Sequence, residues 1–226
     1  MTTPQVDRAH DACIDLSHYQ PRVHFGRVAA AGIRLVVCKA TEGTGRDASY
    51  RGRPALITGA GMRPAAYHFL RRGSRPVDQV RAFLDATQPT PGAVLAVDWE
   101  KALDGSLASI DDVLTAMVLI EEQARTTPIL YSYRAVLDTV PVGHELARYP
   151  VWLASVGKGE KRPAFSRDYK IGPLPKAWAA TPERILMWQY TWTGRVDGVS
   201  ADGPVDCDRS FGDLDALLSS YPGSVT

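Results

Sequence analysis

Short apolar segments rich in β-branched residues alternate with longer amphipathic segments along most of this chain. The strand candidates are residues 12–16, 35–38, 63–67, 94–98, 128–131, 151–154, 185–190 and, more weakly, 204–206. Several of them are continuously apolar, which is typical of strands covered on both faces. Alternating strands and helices predict a parallel sheet, and eight strands suggest closure into a single-domain, TIM-like β/α barrel.

Helices are predicted between the strands, and their patterns weaken towards the end of the chain. The candidates are residues 25–31, 76–86, 109–125 and 134–139. Ser109 can cap the third of these, and Asp111 and Asp112 suit the positive end of its dipole. The weak late helices predict an irregular barrel.

The barrel is predicted to occupy residues 12–221, between a polar, flexible lead-in at 1–11 and a short C-terminal tail at 222–226. Residues 156–184 carry seven basic against three acidic side chains and are predicted to form a long loop. A role in lining a groove and a purely solvated excursion are both open for this loop. No wall-binding module is expected after the barrel.

Composition excludes several classes of partner. With 26 basic and 25 acidic residues, the net charge is +1, which does not indicate a nucleic-acid partner. No apolar run approaches the ~18 residues needed to span a bilayer, so membrane insertion is not expected. The N-terminus lacks the apolar core of a secretory signal, which predicts synthesis in the cytoplasm.

The three cysteines, Cys13, Cys38 and Cys207, are predicted to be buried thiols.

Chemistry in a β/α barrel lies at the C-terminal ends of the strands, and these ends are rich in acids and aromatic rings. The residues at or just after the predicted strand ends include Asp15, Glu42, Tyr67, Asp98, Glu100, Tyr131, Trp152, Gln189, Tyr190 and Asp206. Carboxyl groups can transfer protons and rings can contact the apolar faces of sugars. The pattern therefore indicates a sugar-cleaving groove.

The triplet Asp98-Trp99-Glu100 follows the apolar strand A-V-L-A-V. Residues i and i+2 of a strand share a face, so both carboxyl groups project to one side, roughly 6–7 Å apart along the strand. Two like charges at this separation raise one pKa, which favours a protonated acid near neutral pH. Trp99 is expected to point the other way and pack in the core.

The motifs I-D-L-S-H-Y-Q, K-A-T-E-G, Y-H-F, V-D-W-E, P-I-L-Y-S, V-W-L-A, W-Q-Y-T and V-D occur in this order between about residues 12 and 211. In this the chain resembles the glycoside hydrolase family 25 lysozymes of phage and bacterial type. The resemblance implies an irregular β/α barrel and an N-acetylmuramidase, a peptidoglycan hydrolase that cleaves the β-1,4 bond between N-acetylmuramic acid and N-acetylglucosamine. It implies that Glu100 is the general acid and Asp98 its partner carboxylate. It also implies two further groove acids at Asp15 and at Asp206, with Asp208 as the alternative to Asp206.

The remaining site predictions concern substrate contacts. Tyr67, Tyr131, Trp152 and Tyr190 are candidate sugar platforms, and Gln189 and Glu42 are further candidate substrate contacts. No cluster has metal-ligand spacing and no Gly-rich loop follows a strand, so neither a metal nor a cofactor is expected. His68 is interpreted as a hydrogen-bonded structural imidazole.

Two other functions are alternatives: a chitinase-like glycosidase, and a glycan-binding barrel without catalysis. The first also ends a barrel strand in D-x-E, but its longer acidic run is absent because residues 94–97 are apolar. Because Asp98 and Glu100 lie on one strand, substrate-assisted cleavage with net retention is predicted. The expected partner is the peptidoglycan glycan strand, in the periplasm or outside the cell. A phage holin and a dedicated secretion machine are both open as delivery routes.

Overall fold

The computed structural model describes residues 12–156, 171–199 and 203–226. Within these ranges it contains nine strands: β1 (Cys13–Leu16), β2 (Leu35–Glu42), β3 (Gly45–Arg46), β4 (Arg63–Phe69), β5 (Leu95–Asp98), β6 (Ile129–Tyr133), β7 (Val151–Ala154), β8 (Ile185–Gly194) and β9 (Val205–Ser210). Eight of them match the predicted segments. The ninth, β3, forms a short antiparallel hairpin with the end of β2.

The same ranges contain six α-helices: α1 (Phe25–Ala30), α2 (Arg53–Gly59), α3 (Pro76–Thr87), α4 (Ile110–Ala124), α5 (Arg134–Leu137) and α6 (Leu214–Ser220). Short 3-10 helices lie at Glu145–Arg148, Lys176–Trp178 and Pro182–Arg184. The helices α1, α3, α4 and α5 were predicted, whereas α2 and α6 were not. No helix among the described residues is long and apolar enough to cross a membrane.

The sheet closes into a barrel because β1 pairs with both β2 and β9. The prediction of a parallel sheet is wrong for one of the eight predicted strands: β9 runs antiparallel to both of its neighbours, β8 and β1. Asp206 therefore lies near the start of β9 and not at its end. Because β9 is reversed, its start reaches the same rim of the barrel as the C-terminal ends of the parallel strands.

Two apolar layers follow from the alternation of side chains along the strands. Cys13, Leu35 and Val37 belong to the layer inside the barrel, and Leu217 of α6 packs against this layer. The helix α6 thus closes the end of the barrel opposite the rim just described. The second layer, which includes Ile14, lies between the strands and the surrounding helices.

All three cysteines are buried and none forms a disulfide, as predicted. Cys13 points into the barrel, whereas Cys38 and Cys207 pack in the layer outside it. Burial raises the pKa of the Cys38 thiol to about 12, which keeps this group protonated.

Three predicted segments flank or interrupt the barrel strands, and two of them lie wholly or partly outside the described residues. The lead-in at 1–11 lies outside the described residues, as do residues 157–170 of the predicted loop at 156–184. Residues 222–226 lie against the segment before β5. There the Gly223 amide donates to Gly92 O at 2.9 Å and the Thr226 amide donates to Thr87 O at 2.9 Å.

Candidate active site

A cleft of about 310 Å³ opens at the rim formed by the C-terminal ends of the parallel strands. The four acids predicted to carry the chemistry all line this cleft: Asp15, Asp98, Glu100 and Asp206. They come from β1, from β5 and the residues just after it, and from β9. The fold therefore brings together side chains that are far apart in the sequence, with 191 positions separating Asp15 from Asp206.

The packing of Trp99 sets the direction in which the side chains of Asp98 and Glu100 point. This side chain is 1% exposed, and its Nε1 donates a hydrogen bond to Ala108 O at 2.9 Å. Because Trp99 packs outward from the barrel, as predicted, Asp98 and Glu100 both face the cleft. Asp98 is 5% exposed, while Glu100 is only partly buried.

Both carboxyl groups of this pair hold protons more tightly than ordinary acids. Burial raises the pKa of Asp98 well above 3.8, the charge of Glu100 raises it further, and Lys39 opposes the shift. Burial also raises the pKa of Glu100 above 4.5, again opposed by Lys39. Within the described part of the chain, Asp98 Oδ1 has no hydrogen-bond partner. The pair is thus suited to hold a proton near neutral pH.

Asp15 and Asp206 form a second acidic pair across neighbouring strands. They are register partners on β1 and β9, and Gln189 Nε2 donates to Asp15 Oδ2 at 2.8 Å. Burial raises the pKa of Asp15, and the charges of Asp206 and Asp208 raise it further. Burial and then the charge of Glu100 raise the pKa of Asp206 to about 7.

Asp208, the alternative to Asp206, lies deeper and does not line the cleft. It is fully buried, and its Oδ1 accepts a hydrogen bond from Trp152 Nε1 at 2.8 Å. Asp208 Oδ2 has no hydrogen-bond partner among the described residues. Burial raises the pKa of Asp208, although the Trp152 hydrogen bond lowers it. Of the two candidates, only Asp206 is placed to meet a substrate.

Three of the four predicted sugar platforms line the cleft. The Trp152 ring lies edge-on to Tyr131, with centroids 4.6 Å apart, and to Tyr67, with centroids 6.5 Å apart. The Tyr131 hydroxyl donates to Gln189 Oε1 at 2.9 Å, which connects this aromatic group to Asp15. Gln189, a predicted substrate contact, also lines the cleft.

The prediction that Tyr190 lines the groove is wrong. Tyr190 is fully buried in the outer layer, where its ring contacts Trp188 at a centroid distance of 5.9 Å. Alternation along β8 explains the difference, because Gln189 faces into the barrel and its neighbour must then face out.

Glu42 lines the cleft as predicted, together with a cation that the sequence analysis did not single out. Lys39 Nζ lies 2.5 Å from Glu42 Oε2, and Arg71 Nη1 lies 3.5 Å from Glu42 Oε1. Lys39 is largely buried and lowers the pKa values of Asp98 and Glu100. The signal was present in β2, where the inward-facing series Leu35 and Val37 continues at Lys39.

His68 is structural in its placement. It is fully buried outside the cleft, its Nδ1 lies 2.8 Å from Thr41 Oγ1, and burial lowers its pKa to about 3. The described residues contain no group of three or more His, Cys, Asp or Glu side chains that could hold a metal ion. A larger cavity of about 550 Å³ lies beside α1, and the described residues lining it include none of the predicted site residues.

Comparison with known proteins identifies a group of similar chains. The model of the family described as glycosyl hydrolases family 25 matches residues 14–199. The chain is 27% identical over 224 residues to Lysozyme M1 of Streptomyces globisporus, covering 91% of this chain and 69% of that protein.

Solved structures share the fold. The bacterial lysozyme of Streptomyces coelicolor superposes with a TM-score of 0.76 at 23% identity, covering 92% of this chain and 95% of that one. The catalytic domain of endolysin ply40 from bacteriophage P40 of Listeria monocytogenes superposes with a TM-score of 0.67 at 20% identity, covering 92% and 96%. These similarities show an irregular single-domain barrel of the same type.

Proposed function

The chain belongs to glycosyl hydrolase family 25, and from this premise we propose that its cleft cleaves the bond between N-acetylmuramic acid and N-acetylglucosamine in peptidoglycan. The chain is a glycoside hydrolase of the lysozyme type. One observation supports the assignment of this activity to the cleft: four carboxyl groups converge there, and two of them, Asp98 and Glu100, occupy consecutive inward positions at the end of β5 and just after it. The family does not favour either a chitinase-like enzyme or a binding barrel.

Glu100 is proposed as the general acid. It faces the cleft and is only partly buried, so it can contact a bound sugar. Burial raises its pKa, which increases the fraction that carries a proton near neutral pH. In the proposed step, this proton passes to the glycosidic O4 oxygen as the bond to the anomeric carbon breaks.

Asp98 is proposed to act on the same side of the sugar as Glu100. A conventional retaining or inverting pair flanks the scissile bond from two sides, which neighbours on one strand cannot do. The substrate's 2-acetamido oxygen would instead form a bond to the anomeric carbon, and Asp98 would stabilise the positive charge of the cyclic intermediate. Water then adds to the anomeric carbon as the bond from this carbon to the acetamido oxygen breaks, and the water gives a proton to Glu100, which gives net retention.

Asp15 and Asp206 are proposed to hold substrate hydroxyl groups on the other side of the cleft. Tyr67, Tyr131 and Trp152 would form its aromatic floor, because rings at this position can contact the apolar faces of sugars. Asp15 or Asp206 acting as a base across the cleft is the competing mechanism, and it would invert the anomeric centre.

The proposed function is tested by Glu100→Gln, which keeps the shape of the side chain and removes the proton donor. Turnover of purified peptidoglycan is expected to fall ~10²–10⁴-fold with the fold retained. Glu122→Gln, an exposed position on α4, is the matched control.

Mass spectrometry of the products provides the readout. Reducing-end muramic acid supports the proposal, whereas reducing-end glucosamine would exclude a muramidase. Near-normal turnover by Glu100→Gln would move the acid to another residue.

The site of action that fits this activity is the cell wall. Similarity to a phage endolysin supports release through a holin, and similarity to bacterial lysozymes is equally compatible with a dedicated secretion machine. The peptidoglycan strand is the proposed partner in either case.

A further inference from the structure

The catalytic cleft continues into an adjoining cavity of about 410 Å³ beside the β2–β3 hairpin. His18, Lys39 and Glu42 line both spaces, so the two are contiguous. The adjoining cavity is completed by residues 45–48. A polymeric ligand bound at the carboxylates can therefore extend along this groove.

His18 stands at the junction in a fixed orientation. Its Nδ1 lies 2.8 Å from Asp47 Oδ2, and its amide donates to the same oxygen at 3.3 Å. The Asp47 side chain is only 2% exposed, and its Oδ1 accepts from the amide and the hydroxyl of Ser49. Although burial opposes it, these hydrogen bonds lower the pKa of Asp47. An ionised Asp47 carboxylate can only accept a hydrogen bond, so His18 Nδ1 is the donor of this bond. The other ring nitrogen, His18 Nε2, faces away from Asp47.

Tyr19 extends this fixed surface. Its ring contacts the His18 ring with centroids 4.2 Å apart, and 69% of the residue is exposed. The turn that carries both rings is anchored from below, because buried Arg53 donates to the carbonyl oxygens of Ser17 and Gln20. A large ring exposed to this extent, on a rigid turn beside a cleft, is available to contact a ligand.

We propose that the His18–Tyr19 ring pair forms an additional subsite that binds an N-acetylated hexose of the same glycan strand, beyond the two sugars at the cleaved bond. This subsite rests on the proposed function. The rings would contact the apolar face of the sugar, and His18 Nε2 would accept a hydrogen bond from a hydroxyl or acetamido group.

The acidic side chains beside the ring pair are engaged within the protein, which suits an uncharged sugar as the occupant. Glu42 is paired with Lys39 and Arg71, and the Asp47 carboxylate accepts hydrogen bonds from His18 and Ser49. The two acidic side chains that line the adjoining cavity, Glu42 and Asp47, therefore already have partners within the protein. A sugar ring can bind at the ring pair while all of these contacts persist.

The experiment compares peptide-free glycan strands with the corresponding tetrasaccharide. For Tyr19→Ala and His18→Ala, the ratio of kcat/KM for long strands to kcat/KM for the tetrasaccharide is expected to fall about 2- to 10-fold. Tyr19→Phe keeps the ring and should retain the wild-type ratio. Phe211→Ala is the control, because Phe211 is 43% exposed but follows β9 at the opposite end of the barrel.

A binding measurement separates this subsite from the proposed function. In Glu100→Gln, calorimetric affinity for long strands should fall by the same factor when Tyr19→Ala is added, whatever the products of turnover are. Equal losses for long and short ligands, or no loss at all, would overturn the subsite. A loss that occurs only when stem peptides are attached would replace the sugar with a peptide as the occupant.

Discussion

Replacing Asp206 with Asn is expected to stabilise the fold at neutral pH while it reduces activity. Asp206 lines the cleft beside Asp15, and burial followed by the charge of Glu100 raises its pKa from 3.8 to about 7. A hydrogen bond with Asp15 opposes this shift. The amide of Asn can still donate to Asp15, so the substitution removes the charge and retains a polar contact.

The size of the effect follows from proton linkage. The folded state holds the Asp206 proton more tightly than the unfolded state, so ionisation destabilises the fold as the pH rises from about 4 to about 7. At about 1.4 kcal/mol per pH unit, the full loss is roughly 4 kcal/mol above pH 7, of which roughly 3 kcal/mol develops between pH 5 and pH 8. Asn cannot ionise and therefore lacks this pH dependence.

Urea unfolding at pH 5 and pH 8 tests the reasoning. The stability gained by Asp206→Asn over the wild type should be larger at pH 8 than at pH 5, by roughly 3 kcal/mol. Asp85→Asn, an exposed position on α3, controls for the loss of a carboxyl group elsewhere. An equal change at both pH values, or a loss of stability at pH 8, would refute the assignment of a raised pKa to Asp206.

Two further predictions concern Asp208 and the reaction product. Asp208→Asn should preserve turnover and raise stability at neutral pH, because it removes a buried carboxyl with a raised pKa while the amide oxygen still accepts from Trp152. Asp208→Leu leaves the Trp152 donor unpaired and should be less stable than Asp208→Asn by about 1–3 kcal/mol in urea unfolding; equal stability of the two variants would contradict this. Proton NMR of the first-formed product should show the β-anomer, with no turnover when the reacting sugar lacks its acetyl group. An initial α-anomer would exclude the substrate-assisted mechanism.

Much of the site could be predicted because alternation along a strand is a local property. Asp98, Trp99 and Glu100 were oriented correctly from their positions after an apolar strand. Lys39 could have been predicted by the same alternation, because the inward series of β2 leads directly to it. Aromatic character alone does not place Tyr190 in the cleft, because Tyr190 alternates with the inward-facing Gln189 and faces the outer layer.

The features that could not be predicted depend on contacts between distant segments. The strand at residues 204–206 carried no signal for its direction, and only pairing with β1 and β8 makes β9 antiparallel. The same pairing sets which of the two carboxyl groups, Asp206 or Asp208, reaches the rim of the barrel. The packing of α6 against the end of the barrel likewise depends on strands from the rest of the chain, which the sequence of α6 alone does not specify.

The cleft brings together carboxyl groups whose ionisation destabilises the fold. The residues proposed to carry the activity therefore lower the stability of the chain. Burial raises the pKa of Asp15, Asp98, Glu100 and Asp206, so each of these groups destabilises the folded chain when it ionises. Neutral substitutions at these positions should therefore raise stability while they impair chemistry. Tyr19 carries no such charge, so its loss should weaken binding of long strands without stabilising the fold. Unfolding measurements can thus separate residues that hold protons in this cleft from residues that only contact the glycan.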